Sequence, residues 1–368
     1  MRNIMKFASL LLMPAVMLIS SCEKTGGDDT NMDAGYSIKA DKNVIQSNGA
    51  DVATLTAVVD GKDVTAESTF YLKDTMTQLD GNKFTADKPG VYNVIGMYGT
   101  FYTEEPITIT AVDMEVPAAA ADPAASNTSF VHRAFLNQYT GTGCGYCPGM
   151  IRALRAAFAD EETKSMAVHA AVHSYNAGDP AYLAAPKASG YPYMEIDMAV
   201  SFSYDLDPDG KAGVLKRALQ ERVSAPAKVG ISANPVLNDD MLVVTVEVKA
   251  AETGEYNLGV WFMQDNVYGQ QTDYLGIADN TFNYHENCVR SADSRYGNGY
   301  TGYPLGEIQA GKTALRTFVL NIDKETWKLK DMSDLHFAAF VTAKNGKYNQ
   351  VVNVVDCPID QPTPYEYK

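Results

Sequence analysis

Basic side chains and long apolar runs are both scarce in this 368-residue chain. It has 30 Lys and Arg against 45 Asp and Glu, which gives a formal charge of −15 at pH 7. An acidic surface argues against nucleic acid and anionic lipid as partners, because both bind clustered Lys and Arg. Beyond residue 19 no apolar run is long enough to span a bilayer, which argues against a transmembrane helix there.

The first 22 residues have the composition of an export signal. Arg2 and Lys6 form a basic start, and residues 7–19 are an apolar run too short to be a stable transmembrane helix. The following "LISSC" resembles a bacterial lipobox, which implies cleavage before Cys22 and lipidation of its thiol. An ordinary signal peptide with an incidental cysteine is the alternative. Cleavage would remove the two basic residues and change the charge from −15 to −17.

Cysteine is scarce as well, and its distribution is informative. With Cys22 bound to lipid, four of the 5 cysteines remain: Cys144, Cys147, Cys288 and Cys357. An even number in an exported chain allows two disulfides with three connectivities. We expect Cys144 to pair with Cys147 and Cys288 with Cys357. The second bridge would close a long loop and stabilise the fold by about 4 kcal/mol in the chain-entropy model.

Changes in composition and periodicity predict a multidomain fold, α/β plus all-β. The predicted parts are a signal peptide (1–21), a lipidated tether (22–35), a β-sandwich (36–112), a linker (113–129), a central α/β domain (130–226) and a C-terminal β-sandwich (227–368). Both sandwiches are predicted from short alternating strands separated by Gly, Asn and Asp turns. Residues 36–112 contain neither His nor Cys, so we expect this part to be a spacer or a binding module.

The central region alternates strand and helix patterns. Apolar residues at helical spacing predict a helix that is entered through Pro148 and includes Leu154 and Phe158. "SMAVHAAVHSY" is strand-like, residues 180–189 look helical, and a last helix is predicted to begin near Asp209. Strand and helix in alternation indicate an α/β arrangement.

The stretch "NQYTGTGCGYCPGM" places a Cys-x-x-Cys pair between a predicted strand and a predicted helix. Cys144 would lie beside the helix N-terminus, where the backbone N–H groups and the helix dipole favour a thiolate. Cys147 would be less exposed and suited to resolving a mixed disulfide. Gly145 would let a substrate backbone approach closely. This pattern predicts thiol–disulfide exchange.

The Cys-x-x-Cys context, the later "GYP" and the strand order resemble a thioredoxin-like domain. The resemblance implies a cis-proline at Pro192 beside the cysteine pair, with Tyr191 before it. Two positions depart from the pattern: Gln138 stands where thioredoxins carry a buried acid, and Gly143 stands where they carry Trp. Without the acid, proton transfer at Cys147 would depend on water or another group.

Three separated motifs, "FLNQYTGTGCGYCPGM", "VHSYNAGDP" and "YHENCVR", together resemble the outer-membrane protein twenty-eight family of lipoproteins from Bacteroidetes-type bacteria. The resemblance covers about residues 131–357 and implies a lipid-anchored outer-membrane protein with a thioredoxin-like core and a β-rich region. It implies little about mechanism. Residues 36–112 lie outside it and resemble bacterial immunoglobulin-like domains instead.

Three alternatives concern the cysteines, histidines and carboxylates. The Cys144–Cys147 pair could be a structural disulfide that never turns over. A zinc site with His169 and His173 is disfavoured, because the gap from Cys147 exceeds that of zinc fingers and an oxidising compartment favours disulfides. "DLDPDGKAGVLK" begins like a calcium loop but ends in Lys216 instead of Glu. We therefore expect no metal and no cofactor, and we expect His173 to line the cleft of the cysteine pair.

Two functional hypotheses follow from these patterns. The first is an outer-membrane or surface lipoprotein that exchanges disulfides with protein thiols of the cell envelope and is thus a thiol–disulfide oxidoreductase. The second is a non-enzymatic surface binding protein or adhesin that uses the same fold as a scaffold for an unknown ligand. In both, the lipid anchor is the expected contact with the membrane, and nucleic acid is not an expected partner.

Overall fold

The computed structural model describes residues 35–103, 105–184, 188, 190–202, 208–293 and 302–368. The predicted signal peptide, the lipidation site Cys22 and all but the last residue of the predicted tether lie outside these ranges. Among the described residues, no helix has the length and apolar character needed to cross a membrane.

Strands dominate the described chain. The first ten are β1 (Ser37–Ala40), β2 (Val44–Gln46), β3 (Ala53–Val59), β4 (Lys62–Asp63), β5 (Thr69–Leu72), β6 (Thr77–Gln78), β7 (Lys83–Phe84), β8 (Gly90–Tyr98), β9 (Phe101–Tyr102) and β10 (Ile107–Val112). The next are β11 (Ala134–Thr140), β12 (Ala167–His173), β13 (Tyr193–Ile196), β14 (Val200–Phe202), β15 (Val229–Asn238), β16 (Met241–Ala250) and β17 (Gly254–Gln264). The last are β18 (Val267–Tyr268), β19 (Tyr284–His285), β20 (Cys288–Asp293), β21 (Tyr303–Ile308), β22 (Thr313–Asn321), β23 (Leu335–Asn345) and β24 (Tyr348–Pro358).

Helices are few. The α-helices are α1 (Cys147–Phe158), α2 (Glu161–Ser165), α3 (Pro208–Ser224) and α4 (Lys324–Trp327), and the 3₁₀ helices are Thr65–Glu67, Asn280–Asn283 and Met332–Asp334. Helix α1 has Pro148 in its first turn, as predicted. Helix α3, predicted to begin near Asp209, buries Leu215 and Leu219.

The first ten strands form two sheets that share one core. One sheet has the order β1-β3-β4 with β7 also on β3, and the other has the order β2-β10-β8-β5-β6 with β9 on β8. Strand β3 shows why this packing follows from the sequence: Ala53, Leu55 and Ala57 are buried, while the threonines between them are not. That period of two places the apolar side chains on one face, against residues such as Phe70 and Ile109 of the other sheet.

The predicted linker, residues 113–129, packs along the next part of the chain. The hydroxyl of Thr245 on β16 donates to the carbonyl of Pro117 at 2.6 Å. Lys249, also on β16, is 2% exposed, and its Nζ lies 2.9 Å from Oδ2 of Asp122. A buried ammonium needs such a partner, so Asp122 ties this segment to the sheet.

A nine-stranded sheet forms the centre of the remaining chain. Its order is β14-β13-β11-β12-β20-β17-β23-β24, with β21 also pairing with β17. Strands β11 and β12 are parallel, and β12 pairs in parallel with β20 through Ala171 and Cys288. Strands from both sides of the predicted boundary at residue 226 therefore belong to one sheet.

Both faces of this sheet are covered. Strand β17 sends Leu258 and Phe262 into a core shared with a three-stranded sheet of order β15-β16-β22, and Trp261 into a second core on the opposite face. A strand buried on both faces is expected to be apolar along its whole length, as "LGVWFM" is. At the other end of the sheet, Leu154 of α1 and Leu219 of α3 pack on β11 and β13.

The predicted fold class is wrong. We expected a separate α/β thioredoxin-like domain between two β-sandwiches, but strands make up 46% and helices 14% of the part of the chain that the structure describes, and the strands form several sheets. The side of β12 that faces away from β11 is not the free edge of a small domain, because it pairs with β20. The helix predicted at residues 180–189 is also absent from its described residues 180–184, where Tyr182 forms an extended bridge with His173.

The predicted disulfide between Cys288 and Cys357 is wrong too. Both are free, buried thiols. Cys288 lies on β20 and Cys357 on β24, with β17 and β23 between them. Neighbouring strands are about 4.8 Å apart, so three steps separate the two backbones by about 14 Å. A disulfide needs Cα atoms within about 7 Å.

Candidate functional site

The predicted pairing of Cys144 with Cys147 is present at the N-terminus of α1. The S–S distance is 2.04 Å and the Cα–Cα distance is 5.4 Å. Cys147 is the first residue of the helix, and its N–H donates to the carbonyl of Cys144 at 3.1 Å. Cys144 is 3% exposed and Cys147 is fully buried. The disulfide therefore lies at the positive end of the helix dipole, which favours negative charge on sulfur, but it has little contact with solvent.

The loop that leads into the disulfide is held by Asp179. Its Oδ2 accepts a hydrogen bond from the N–H of Thr142 at 2.6 Å, and its Oδ1 accepts one from the N–H of Ala181 at 2.8 Å. Gly141 is required here, because a methyl group on it would lie 2.6 Å from Cβ of Tyr175. The segment that follows β12 is thus packed directly on the cysteine loop.

Residues 269–275, which we call the covering segment, lie over the same loop from the other side. Four hydrogen bonds join them: Thr272 N–H to the carbonyl of Thr142 at 2.7 Å, Gln271 Nε2 to the carbonyls of Cys144 at 3.0 Å and Thr142 at 3.3 Å, and Tyr274 N–H to the carbonyl of Gly145 at 2.8 Å. The ring of Tyr274 occupies the space that a side chain at Gly145 would need. The open approach that we predicted at Gly145 is therefore taken by the chain's own Tyr274.

The predicted cis-proline pair is connected to this site through Tyr175. The Tyr191–Pro192 peptide bond is cis, and Pro192 is buried. Tyr191 contacts the segment after β12: its hydroxyl is 2.8 Å from Oγ of Ser174, and its ring packs edge-on against Tyr175 at 5.2 Å. Because Tyr175 packs on the cysteine loop, Tyr191 is connected to the disulfide region through Tyr175.

His173 belongs to a buried cluster that the sequence did not predict. Its Nδ1 is 3.0 Å from both carboxylate oxygens of Asp179, and its Nε2 is 3.6 Å from Sγ of Cys288. Burial by itself would lower the pKa of His173, but Cys288 and Asp179 outweigh it and raise this pKa to about 10. Burial acts against the ionised form of Asp179 too, yet His173 and backbone donors hold its pKa well below the usual range.

Asp179 therefore links His173 to the cysteine loop, since the same carboxylate also binds Thr142. His173 is therefore connected to the disulfide through Asp179 and the cysteine loop. Sequence reasoning missed Asp179 because its partner lies 37 positions earlier in the chain. It also assigned Cys288 to a disulfide, whereas its nearest polar partner is an imidazole on the neighbouring strand.

The arrangement of the two histidines does not support the alternative zinc site. His169 and His173 share one face of β12, but their nitrogens are engaged with other side chains: His169 with Gln138 and Asn287, and His173 with Asp179 and Cys288. Within the described ranges, no group of three or more His, Cys, Asp and Glu side chains could hold a metal ion. The start of the possible calcium loop, residues 205–207, lies outside those ranges.

Exposed aromatic side chains surround the buried disulfide. Tyr146, between the two cysteines, is 47% exposed; Tyr175 is 43% and Tyr274 is 69% exposed. The rings of Tyr146 and Tyr274 pack edge-on at 5.5 Å. We call these three residues and the adjacent Leu275 the tyrosine patch. Exposed aromatic clusters of this kind are typical of surfaces that bind other molecules.

The molecule is therefore a mostly β protein of several sheets in which one βαβ unit carries a covered Cys-x-x-Cys disulfide. No family model and no curated protein matches the chain. A solved structure, HBP35 of Porphyromonas gingivalis, is similar with a TM-score of 0.50 and 17% identity, covering 64% of this chain and 79% of that one. At this identity the similarity concerns the fold alone.

Two other solved structures are too dissimilar to inform the fold. The three N-terminal domains of the bacteriophage RB49 outer capsid protein Hoc give a TM-score of 0.16 at 9% identity, over 90% of this chain and 99% of that one. A β-glucosidase from Kluyveromyces marxianus gives 0.17 at 11% identity, over 87% of this chain and 46% of that one. Because no family model matches, membership of the outer-membrane protein twenty-eight family stays a prediction.

Proposed function

We propose that this chain is a lipoprotein of the bacterial cell envelope, anchored through Cys22, that exchanges disulfides with a polypeptide partner at Cys144–Cys147. The observation that carries the proposal is the position of the disulfide at the N-terminus of α1, where a released thiolate is stabilised. The lipobox-like sequence before Cys22 supports the anchor. The fold similarity to a protein of a Bacteroidetes bacterium is compatible with a cell-envelope location.

The exchange proceeds by two displacements. A thiolate of the partner attacks Sγ of Cys144, the more exposed residue of the pair, and the bond to Cys147 breaks with Cys147 leaving as a thiolate. The second thiolate of the partner then attacks the partner's own sulfur in the mixed disulfide and releases Cys144. The partner gains a disulfide and loses two electrons, and Cys144 and Cys147, once protonated, become two thiols.

The partner must first displace the covering segment. Tyr274 donates its N–H to the carbonyl of Gly145, which is the kind of backbone contact that an extended substrate would make. The tyrosine patch offers apolar and aromatic surface for that polypeptide. The direction of net electron flow depends on the partner, since the same two steps run in reverse from the dithiol.

A second candidate function rests on the burial of the disulfide. Both cysteines are almost inaccessible, and four hydrogen bonds hold the covering segment over them. A disulfide that never opens would have this environment. In that case the protein is a surface binding protein or adhesin, the tyrosine patch is its contact surface, and the cysteines brace the first turn of α1.

The reduction potential of the pair distinguishes the two functions. The full chain is titrated with glutathione buffers, thiols are trapped by alkylation, and the peptide that contains Cys144 and Cys147 is quantified. We expect a potential between about −270 and −120 mV, the range of exchange proteins. A pair that stays oxidised below about −300 mV would make the disulfide structural. The Cys144→Ser/Cys147→Ser variant, which retains Cys288 and Cys357, supplies the background of thiol labelling.

A further inference from the structure

His285 holds the first residue of the covering segment. It is the second residue of β19, which pairs with β18, and β18 leads directly into residues 269–275. Its Nε2 donates a hydrogen bond to the carbonyl of Gly269 at 3.1 Å. Asn283 also binds this end of the segment, because its carbonyl accepts from the N–H of Gly269 at 2.9 Å and its Oδ1 accepts from the N–H of Gln271 at 2.9 Å. The β18–β19 pair and the start of the covering segment therefore form one connected unit.

This unit packs on the cysteine loop through Gly269. A methyl group on Gly269 would lie 2.7 Å from Cγ2 of Thr142, so the two residues are in close contact. The following residues of the segment bind the same loop through the four hydrogen bonds described above. Displacement of the unit therefore separates the covering segment from the loop, beginning at its first residue.

His285 also packs edge-on against His173, and both rings are buried. The ring centroids are 5.0 Å apart at an interplanar angle of 88°, and His285 is 6% and His173 0% exposed. The carboxylate of Asp179 lies 3.0 Å from Nδ1 of His173 and is the partner of that ring. Within the described part of the chain, no carboxylate forms an ion pair with His285. A positive charge on His285 would therefore be buried beside His173 without a partner of its own.

Three charged groups act on His285 from the elements packed around it: His173 from β12, Asp179 from the segment after β12, and Arg155 from α1. His173 is positively charged at neutral pH, because its pKa is raised to about 10. Burial and then His173 lower the pKa of His285 to about 4, and Arg155 acts in the same direction, while Asp179 opposes them only in part. The thiol of Cys288 contacts the other nitrogen of His173. In the covered arrangement His285 is therefore a neutral ring at physiological pH.

We propose that protonation of His285 releases the covering segment, so that mildly acidic conditions expose the Cys144–Cys147 disulfide to its polypeptide partner. The charged ring leaves its buried position beside His173 for water, and the β18–β19 pair moves with it. As a control of disulfide exchange this inference rests on the proposed function, whereas the release of the covering segment does not require that function.

The direction and size of the effect follow from two protonation equilibria. In the covered state the pKa of His285 is about 4, and in the uncovered state, where water reaches the ring, it takes the ordinary value of about 6.5. The uncovered state binds more protons between these values, so a fall in pH favours it. The contribution of the neutral ring to the covered state is complete above about pH 6.5 and is lost as the pH falls towards 4. From pH 7.5 to 5.5 we expect the uncovered fraction to rise about tenfold.

The rate at which a phosphine reduces the disulfide tests the proposal. The full chain is incubated with tris(carboxyethyl)phosphine at pH 7.5 and 5.5 and quenched with N-ethylmaleimide, and the peptide that contains Cys144 and Cys147 is quantified by mass spectrometry. Oxidised glutathione, an exposed disulfide, is reduced in the same buffers, and the ratio of the two rates removes the pH dependence of the reagent. We expect this ratio to rise about tenfold at pH 5.5. An unchanged or lower ratio would overturn the proposal.

Two matched substitutions assign the effect to His285. His285→Gln keeps an amide donor for the carbonyl of Gly269 but does not titrate, so its ratio should change by less than about twofold. Glu286, whose pKa is raised by burial, stays in place in this variant, so the comparison isolates His285. His132→Gln is the control, since His132 also has a pKa lowered by burial and a carbonyl partner, that of Ala225 at 2.9 Å, but lies at the opposite end of β11 from the cysteine loop. It should keep the rise, and a full rise in His285→Gln would refute the role of His285.

Hydrogen exchange of the unchanged full chain tests the release without a variant. After correction for the intrinsic pH dependence of exchange, the N–H groups of Thr272 and Tyr274, which bind the cysteine loop, should exchange about tenfold faster at pH 5.5. Equal corrected rates would overturn the release. Failure of the proposed function has a different result: the pair stays oxidised throughout the glutathione titration, while faster exchange at pH 5.5 still supports the release.

Discussion

Replacing Gln271 by Leu is expected to accelerate reduction of the Cys144–Cys147 disulfide. The side-chain amide of Gln271 is buried and donates to three carbonyls, those of Cys144, Thr142 and Thr272. Leu has a similar size but no donor, so the covering segment loses these bonds and the carbonyls lose their partner. Leaving buried acceptors unpaired costs about 1–3 kcal/mol.

The magnitude follows from that cost. If the substitution destabilises the covered arrangement by about 1–2 kcal/mol relative to the uncovered one, the fraction of molecules with an uncovered disulfide rises about 5- to 30-fold. Reduction that requires uncovering accelerates by the same factor. The assay incubates the full chain with excess dithiothreitol, quenches aliquots with iodoacetamide at intervals, and measures the alkylated peptide by mass spectrometry.

The control is Gln309→Leu, which makes the same substitution at an exposed position of the β21–β22 connection. It should leave the rate unchanged. If Gln271→Leu also reacts within twofold of the unchanged protein, the covering segment does not limit access to the disulfide. The proposed displacement by a partner would then lose its structural basis.

Three further predictions concern the buried side chains. Because the folded-state pKa of His173 is raised to about 10, from 6.5, its stabilising contribution is complete below about pH 6.5 and is lost as the pH rises towards 10. Urea unfolding between pH 6 and 10 should show a loss of stability that is smaller in His173→Gln; an equal loss in both would contradict this. Phe340→Ala should lower the free energy of unfolding by about 3–5 kcal/mol, since Phe340 is fully buried and stacks on Phe135 at 4.9 Å. The exposed Tyr348→Ala is the control and should change it by less than about 0.5 kcal/mol. Finally, peptide mapping without reductant should find Cys288 and Cys357 unlinked and alkylated only after unfolding; a peptide that joins the two cysteines would refute the order of strands in the nine-stranded sheet.

Local features were predictable because they depend on neighbours in the sequence. Alternation in β3 and the apolar run of β17 identify strands, and Pro148 with Leu154 and Phe158 identifies α1. The Cys144–Cys147 pair was predictable for the same reason, since three residues of chain cannot hold two cysteines far apart.

Long-range pairings were not predictable from these patterns. The contact between β12 and β20 joins Ala171 to Cys288, which are 117 positions apart by their numbers. Neither segment contains a pattern that identifies the other as its partner. The prediction of the fold class failed at this point, because β12 does not end a small domain but pairs with β20, and the sheet continues into the C-terminal strands. The error in the Cys288–Cys357 bridge has the same origin.

The sequence by itself determined strands such as β3 and β17, the two long helices, the net acidic charge and the residues capable of thiol chemistry, since each depends on local composition and spacing. Only the tertiary structure decided that Tyr274 covers the disulfide, that Asp179 binds both His173 and the cysteine loop, and that Cys288 lies beside His173. These three features depend on the distance and direction between side chains from separate elements. Packing sets those quantities, and one-dimensional patterns do not contain them.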